Sequence, residues 1–260
     1  MAVVIEIRDV TKYFTIERPL YERLLLPFGA SGKICALDKI SFSVKAGEIL
    51  GISGSNGAGK TTLLRTIADL LKPENGDISI LGRPLAAGSG WLRSEIGYVS
   101  SDERSFFWRL TGRENLEFFG QLYGLSAKES RNRTSQILGK FCFEKKAEQL
   151  FRDYSAGMRK KVAVMRALLH CPRIILLDEA TNSLDLESAK IVKTLVREYV
   201  SSQKCRAAIW STHRFEEIAE ICDKVLVIED GAVRFHGVPG DYQREEGMTI
   251  DSCQKIQKCS

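Results

Sequence analysis

Residues Gly54 to Thr62 read GSNGAGKTT and meet the pattern G-x-x-x-x-G-K-[ST] without a mismatch. That spacing serves the holding of a nucleotide's phosphates. Backbone N–H groups can curl around a β-phosphate only where side chains leave the approach open, which is the use of Gly54, Gly57 and Gly59; Ser55, Asn56 and Ala58 complete the loop. Lys60 brings a point charge to the β and γ oxygens, and Thr61, followed by Thr62, a hydroxyl for Mg²⁺. A nucleotide and Mg²⁺ are the expected ligands.

Such a loop must be held between a strand and a helix. The preceding ILGIS predicts a short buried strand, and KTTLLRTIADLLK places Leu63, Leu64, Ile67, Leu70 and Leu71 on one helical face. The loop thus opens a helix whose positive end faces the phosphates.

Composition narrows the class. At 260 residues with 44% hydrophobic content the chain holds one large α/β domain or two small ones. Seven cysteines without CxxC or CxH spacing read as reduced thiols in a cytosolic protein, not as bridges or a zinc site. No apolar run approaches the roughly 20 residues that cross a bilayer, and MAVVIEIRDV carries acids where a signal peptide has a basic head. A net charge of +5, from 38 basic and 33 acidic residues, is a mixed solvated surface and not a nucleic-acid footprint.

Along the chain, VVIEIR (3–8) and ISFSV (40–44) have strand composition and suggest an antiparallel pair. The segment between them, about 15–34, carries Leu20, Leu24, Leu25, Leu26 and Phe28; it reads either as an inserted amphipathic hairpin or as a surface excursion. Thr111-x-x-Glu114 and Ser126-x-x-Glu129 are capping boxes, so two capped helices follow one another within a helical insertion over about 95–165. IILLDEA and AAIWSTH read as strands buried on both faces, and Asp230-Gly231 as the turn of a hairpin in KVLVIEDGAVRFHG. From residue 238 to 260 the sequence is polar without periodicity and is expected to form a loose tail.

Around the phosphate loop, four stretches in order resemble the ATP-binding cassette family, in particular a transporter ATPase subunit, over about residues 3 to 237. The resemblance implies a P-loop α/β fold with a mostly parallel central sheet, N-terminal antiparallel strands and an inserted helical subdomain, binding ATP and Mg²⁺. RIILLDE looks like the second nucleotide motif, in which Asp178 holds Mg²⁺ through water and Glu179 polarises the attacking water. TNSLD resembles the D-loop, where Asp185 helps position the opposite subunit's site, and STH the switch motif, where His213 reaches the γ-phosphate and the water. YSAGM looks like the signature usually written LSGGQ: Ser155 and Gly157 match, while Tyr154, Ala156 and Met158 depart from it. The YS-x-GM form resembles polysaccharide and teichoic-acid exporter ATPases. Tyr13 resembles the aromatic that stacks on adenine, with Phe14 as the alternative. Ser101 stands where the family's Q-loop glutamine is usual, with Asp102 as a nearby substitute.

The expected protein is the ATP-hydrolysing subunit of an exporter, cytoplasmic and peripheral on the inner face of the membrane through integral permease subunits. It would dimerise on ATP binding, with itself or a similar cassette, and no nucleic-acid partner is expected. The alternatives are a non-transport cassette ATPase and another P-loop NTPase. The chain lacks the second cassette of translation factors and the coiled coil of repair ATPases. As a kinase or GTPase it would carry YSAGM, SLD and STH by accident, without a guanine-reading NKxD. Phe106, Phe107 and Trp108, in a loop before a capped helix, read as a socket for the permease, or otherwise as core.

Overall fold

The computed structural model describes residues 2–16, 32–85, 90–100, 105–203 and 205–245. Strands β1 (Val3–Thr15), β2 (Lys33–Lys45), β4 (Asn75–Ile80) and β5 (Arg83–Pro84) form an antiparallel sheet in the order β2-β1-β4-β5. A six-stranded sheet runs β10-β9-β3-β8-β7-β6, from β3 (Ile49–Ser53), β6 (Ile96–Val99), β7 (Ile174–Asp178), β8 (Ala207–Ser211), β9 (Lys224–Glu229) and β10 (Ala232–Gly237). All its pairings are parallel except the hairpin of β9 and β10, turned through Asp230 and Gly231 at φ 49° and 80°.

The continuous apolar runs have a physical reason. Along β7, Ile174 and Leu176 face one core and Ile175 and Leu177 the other. The first core lies between the two sheets and takes Leu63, Leu64 and Ile67 from α1 (Lys60–Ile67). The second lies on the opposite face, under α5 (Ala156–Leu168) and α6 (Leu186–Ser201). Strands buried on both faces give no alternating pattern, hence the unbroken runs in the sequence.

The helical insertion consists of α3 (Gly112–Leu122), α4 (Ala127–Lys140) and α5, preceded by the one-turn α2 (Leu92–Glu95); α7 (Phe215–Ile221) follows β8. Both capping boxes are formed: Thr111 and Ser126 accept from the Glu114 and Glu129 amides, and each glutamate returns to the cap's own N–H.

Three expectations need correction. Strands β1 and β2 extend to 13 residues each, well past 3–8 and 40–44, because bulges at Asp9 and Lys39, at φ 49° and 47°, let the pairing continue through the polar stretch. The helix after the phosphate loop stops at Ile67, not Leu71: Asp69 turns left-handed at φ 57° and the Leu70 amide donates back to the Arg65 carbonyl at 2.9 Å, which leaves Leu70 60% exposed. Residues 239–245 are helical where a loose tail was expected, with Tyr242 packed on Phe215 and Phe235 at 5.2 and 5.3 Å between ring centroids. Leu20, Leu24–Leu26 and Phe28 of the N-terminal insert, and Ser101 and Asp102, lie outside the described residues.

No helix among the described residues is long and apolar enough to cross a membrane.

Candidate nucleotide site

The site is built where β3, β7 and β8 end. Strand β3 runs into Gly54, whose φ is 151°; a Cβ there would meet the Ile228 carbonyl oxygen at 2.2 Å, so only glycine lets the loop cross the end of β9. Gly59, at φ 109°, sits as closely against the Ala36 carbonyl, where a Cβ would come to 2.4 Å, and this contact seats the loop on the antiparallel sheet. Gly57 faces open space, with nothing within 4 Å of a Cβ placed on it. The loop is therefore packed behind and open in front, the shape that phosphate oxygens need.

Lys60 opens α1 and is buried. Its ammonium donates to the Gly54 and Ser55 carbonyls at 2.7 and 2.8 Å. Burial pulls its pKa below the usual lysine value, while the negative charges of Glu179 and Asp178 oppose that pull. A desolvated cation whose hydrogen-bond partners are two neutral carbonyls is poised to exchange them for an anion.

Beside it, the Thr61 hydroxyl donates to Asp178 Oδ2 at 2.9 Å, and the Ser211 hydroxyl to Oδ1 at 2.7 Å. Asp178 is fully buried, a position a carboxylate keeps only with both oxygens met. The register of β7 on β8 brings Ser211 opposite Asp178. Thr61, Asp178 and Ser211 thus form an oxygen cluster of the hard-donor kind that suits Mg²⁺.

Glu179 follows the strand end at φ 50°, with its amide donating to the Ser211 carbonyl at 3.1 Å. This left-handed turn swings the carboxylate off the sheet axis. Oε2 accepts from the Asn182 amide, and Oε1 lies 3.4 Å from His213 Nδ1. Beneath them Thr181 donates to Glu217, and Arg214 pairs with the same carboxylate; Thr181 and Glu217 are both buried. This triad ties the segment after β7 to the segment after β8, so Glu179 and His213 are held by one network.

Lys60, Thr61, Asp178, Glu179 and His213 are thus brought together. Ser155 and Asp185 are not part of the cluster. Ser155 caps α5 and accepts from the Met158 amide at 3.2 Å; Gly157 packs so closely on the Ser183 carbonyl that a Cβ placed there would meet it at 2.8 Å. Asp185 caps α6, and the Ser188 amide that it accepts from at 2.7 Å holds its carboxyl below the usual aspartate range. Tyr13 is exposed on β1, paired with Cys35, and hydrogen-bonds through its amide to Glu74. Asn182, Ser211 and the Thr181–Glu217–Arg214 triad belong to none of the roles assigned from sequence. The one signal for Ser211 is its place at the end of AAIWSTH, a strand that must lie beside LLDE.

A P-loop nucleotide fold with two sheets and a helical arm is the class these features define. Residues 37–182 match the model of the ABC transporter family, and the chain belongs to that family. It is 38% identical over 202 residues to the ABC transporter ATP-binding protein NatA of Bacillus subtilis, covering 78% of this chain and 81% of that one. The Nod factor export ATP-binding protein I of Burkholderia orbicola is 33% identical over 208 residues, 80% of this chain and 67% of its own. Among solved structures, a dimeric ATP-binding cassette in a post-hydrolysis state with ADP and Pi superposes with a TM-score of 0.77, at 25% identity over 90% of this chain and 98% of that one. The chain is an ATP-binding subunit of the ABC transporter type, and an ATPase.

Proposed function

We propose that the chain is the ATP-hydrolysing subunit of an exporter, working as a pair of cassettes on the inner face of the membrane against a separate integral permease. The observation that carries the reading is the cluster at the ends of β3, β7 and β8. There one buried cation, one buried carboxylate and one half-open carboxylate occupy the places that phosphate, metal and attacking water need. The relative that serves Nod factor export supports the outward direction of transport.

Each residue then has a task. Lys60 holds the β and γ oxygens, turning from the Gly54 and Ser55 carbonyls toward the stronger acceptor. Thr61 and Asp178 would hold Mg²⁺, which when bound would supply positive charge to the phosphoryl oxygens. Glu179 takes the proton of the attacking water, with Asn182 and His213 orienting its two oxygens. Ser55, Asn56, Ala58 and Thr62 complete the phosphate cradle beside the three glycines and Lys60, and Tyr13 lies under the adenine.

Ser155 and Gly157, at the N-terminus of α5, have no phosphate of their own to meet. In a pair of cassettes they face the nucleotide held by the partner, with Asp185 beside the junction. The permease docks on the face that bears Phe107 and Trp108, 47% and 48% exposed. Phe106 is not part of this face: it is 4% exposed and stacked on Phe151 at 4.6 Å, so the three-residue socket reduces to two.

The test is hydrolysis by the purified chain with and without the co-expressed permease. Activity lost in Glu179→Gln, with Mg-ATP binding kept, supports the assignment. Unchanged turnover in that variant removes Glu179 as the base.

A further inference from the structure

A cavity of about 320 Å³ opens between the C-terminal halves of α4 and α6 and the end of α5. Cys171 and Arg206, just before β7 and β8, also line it, so it lies at the opposite end of those strands from the nucleotide cluster. Its volume is at the small end of ligand-sized cavities, about 300–1,000 Å³. The floor is apolar and buried, made by Ile137, Phe141, Leu168 and Leu169.

The charge around that floor is mostly of one sign. Arg133, Lys140 and Arg206 line the cavity, against a single carboxylate, Glu198, which is exposed on the rim. Arg206 is the unusual member. It is only 8% exposed, its guanidinium lies over the Tyr199 ring at 3.8 Å, and Nη1 donates to the Ser202 hydroxyl and the Tyr199 carbonyl at 2.7 and 3.3 Å. Its Nε is buried and has no hydrogen-bond acceptor among the described residues, and the partners its guanidinium has there are neutral oxygens. Arg173, at the start of the neighbouring strand, shows the satisfied case, held through two nitrogens by Glu95 at 2.6 and 2.7 Å. A buried guanidinium with neutral partners alone is expensive, and the expense falls when a carboxylate arrives.

We propose that this cavity binds a small amphiphilic monoanion, a carboxylic acid with an aromatic or short aliphatic body. The carboxylate is met by Arg206 from within and by Arg133 and Lys140 at the rim, and the body lies on the apolar floor. Glu198 at the rim disfavours a second negative charge, which selects a monocarboxylate over a phosphate dianion. The inference is independent of the transport reading.

The test is thermal melting of the full chain titrated with 4-phenylbutyrate, backed by calorimetry. A saturable rise in melting temperature is expected, with none from the uncharged 4-phenylbutyramide and none from acetate, which has the charge without the body. Two variants at exposed lining positions locate the site. Lys140→Glu should weaken binding about tenfold, and Gln136→Trp, which fills the mouth, should abolish it, while both melt like the parent without ligand. Absence of saturable binding to the parent overturns the inference. So does an equal effect of the amide or of acetate, or full binding in Gln136→Trp.

Discussion

Strands β7 and β8 end at the nucleotide cluster and begin beside the small cavity, and the two ends handle charge differently. At the cluster each polar side chain has a partner within the chain: Lys60 on two carbonyls, Asp178 between Thr61 and Ser211, Glu179 between Asn182 and His213. At the other end Arg206 keeps an unmet Nε over a buried apolar floor. Apart from Lys60, which turns to the phosphates, the first end is organised before its ligand arrives, which suits catalysis, where reorganisation adds to the barrier. The second is left incomplete, which suits a place finished by a bound anion.

The comparison sharpens into expected effects of decreasing size. Lys60→Ala removes the buried cation of the preorganised end and should weaken ATP binding by roughly 10²- to 10³-fold, read by nucleotide titration. A smaller loss would mean that the loop amides alone hold the phosphates. Phe106→Ala empties a core position packed on Phe119 and Phe151 and should cost about 3–5 kcal/mol in denaturant unfolding. Its neighbour Phe107→Glu should stay within about 1 kcal/mol of the parent and instead lose the permease in pull-down. A large loss of stability in Phe107→Glu with the pull-down preserved would make that ring core and put docking elsewhere.

The Glu95–Arg173 pair, the satisfied neighbour of Arg206, gives the smallest effect and one with a defined pH sign. Hydrogen bonding to Arg173 holds the Glu95 carboxyl below its usual range. A depressed carboxylate stabilises the fold above its unfolded pKa and loses that contribution as pH falls through the lower folded value. Glu95→Gln should therefore cost about 1 kcal/mol at neutral pH, the pair being partly exposed, and the difference from the parent should shrink only once pH falls below the usual carboxylate range, through the depressed folded pKa. A difference that persists in acid would assign the loss to packing.

Much of this was legible in the sequence because local rules and tertiary structure agree there. The phosphate loop needs particular residues at fixed spacing, and the capping boxes at Thr111 and Ser126 are satisfied within one turn. What was not legible depends on contacts between distant segments. Ser211 meets Asp178 across 33 residues through the register of β7 on β8, and Thr181 meets Glu217 across 36 where the segments after those strands come together; no local pattern encodes either. Phe106 and Phe107 are adjacent and chemically alike, yet one is core and the other surface, because the first stacks on Phe151 while the second lies outward against Phe118. Arg206 and Arg173 are equally alike in sequence, each just ahead of a buried strand, and only the fold gives one of them a carboxylate.

The most direct test of the paired-cassette account is light scattering on Glu179→Gln with saturating Mg-ATP. The account predicts a shift from monomer to twice the monomer mass, abolished by adding Ser155→Arg, because trapped nucleotide holds two composite sites shut. A Glu179→Gln protein that binds Mg-ATP and stays monomeric, with and without the permease, would contradict it.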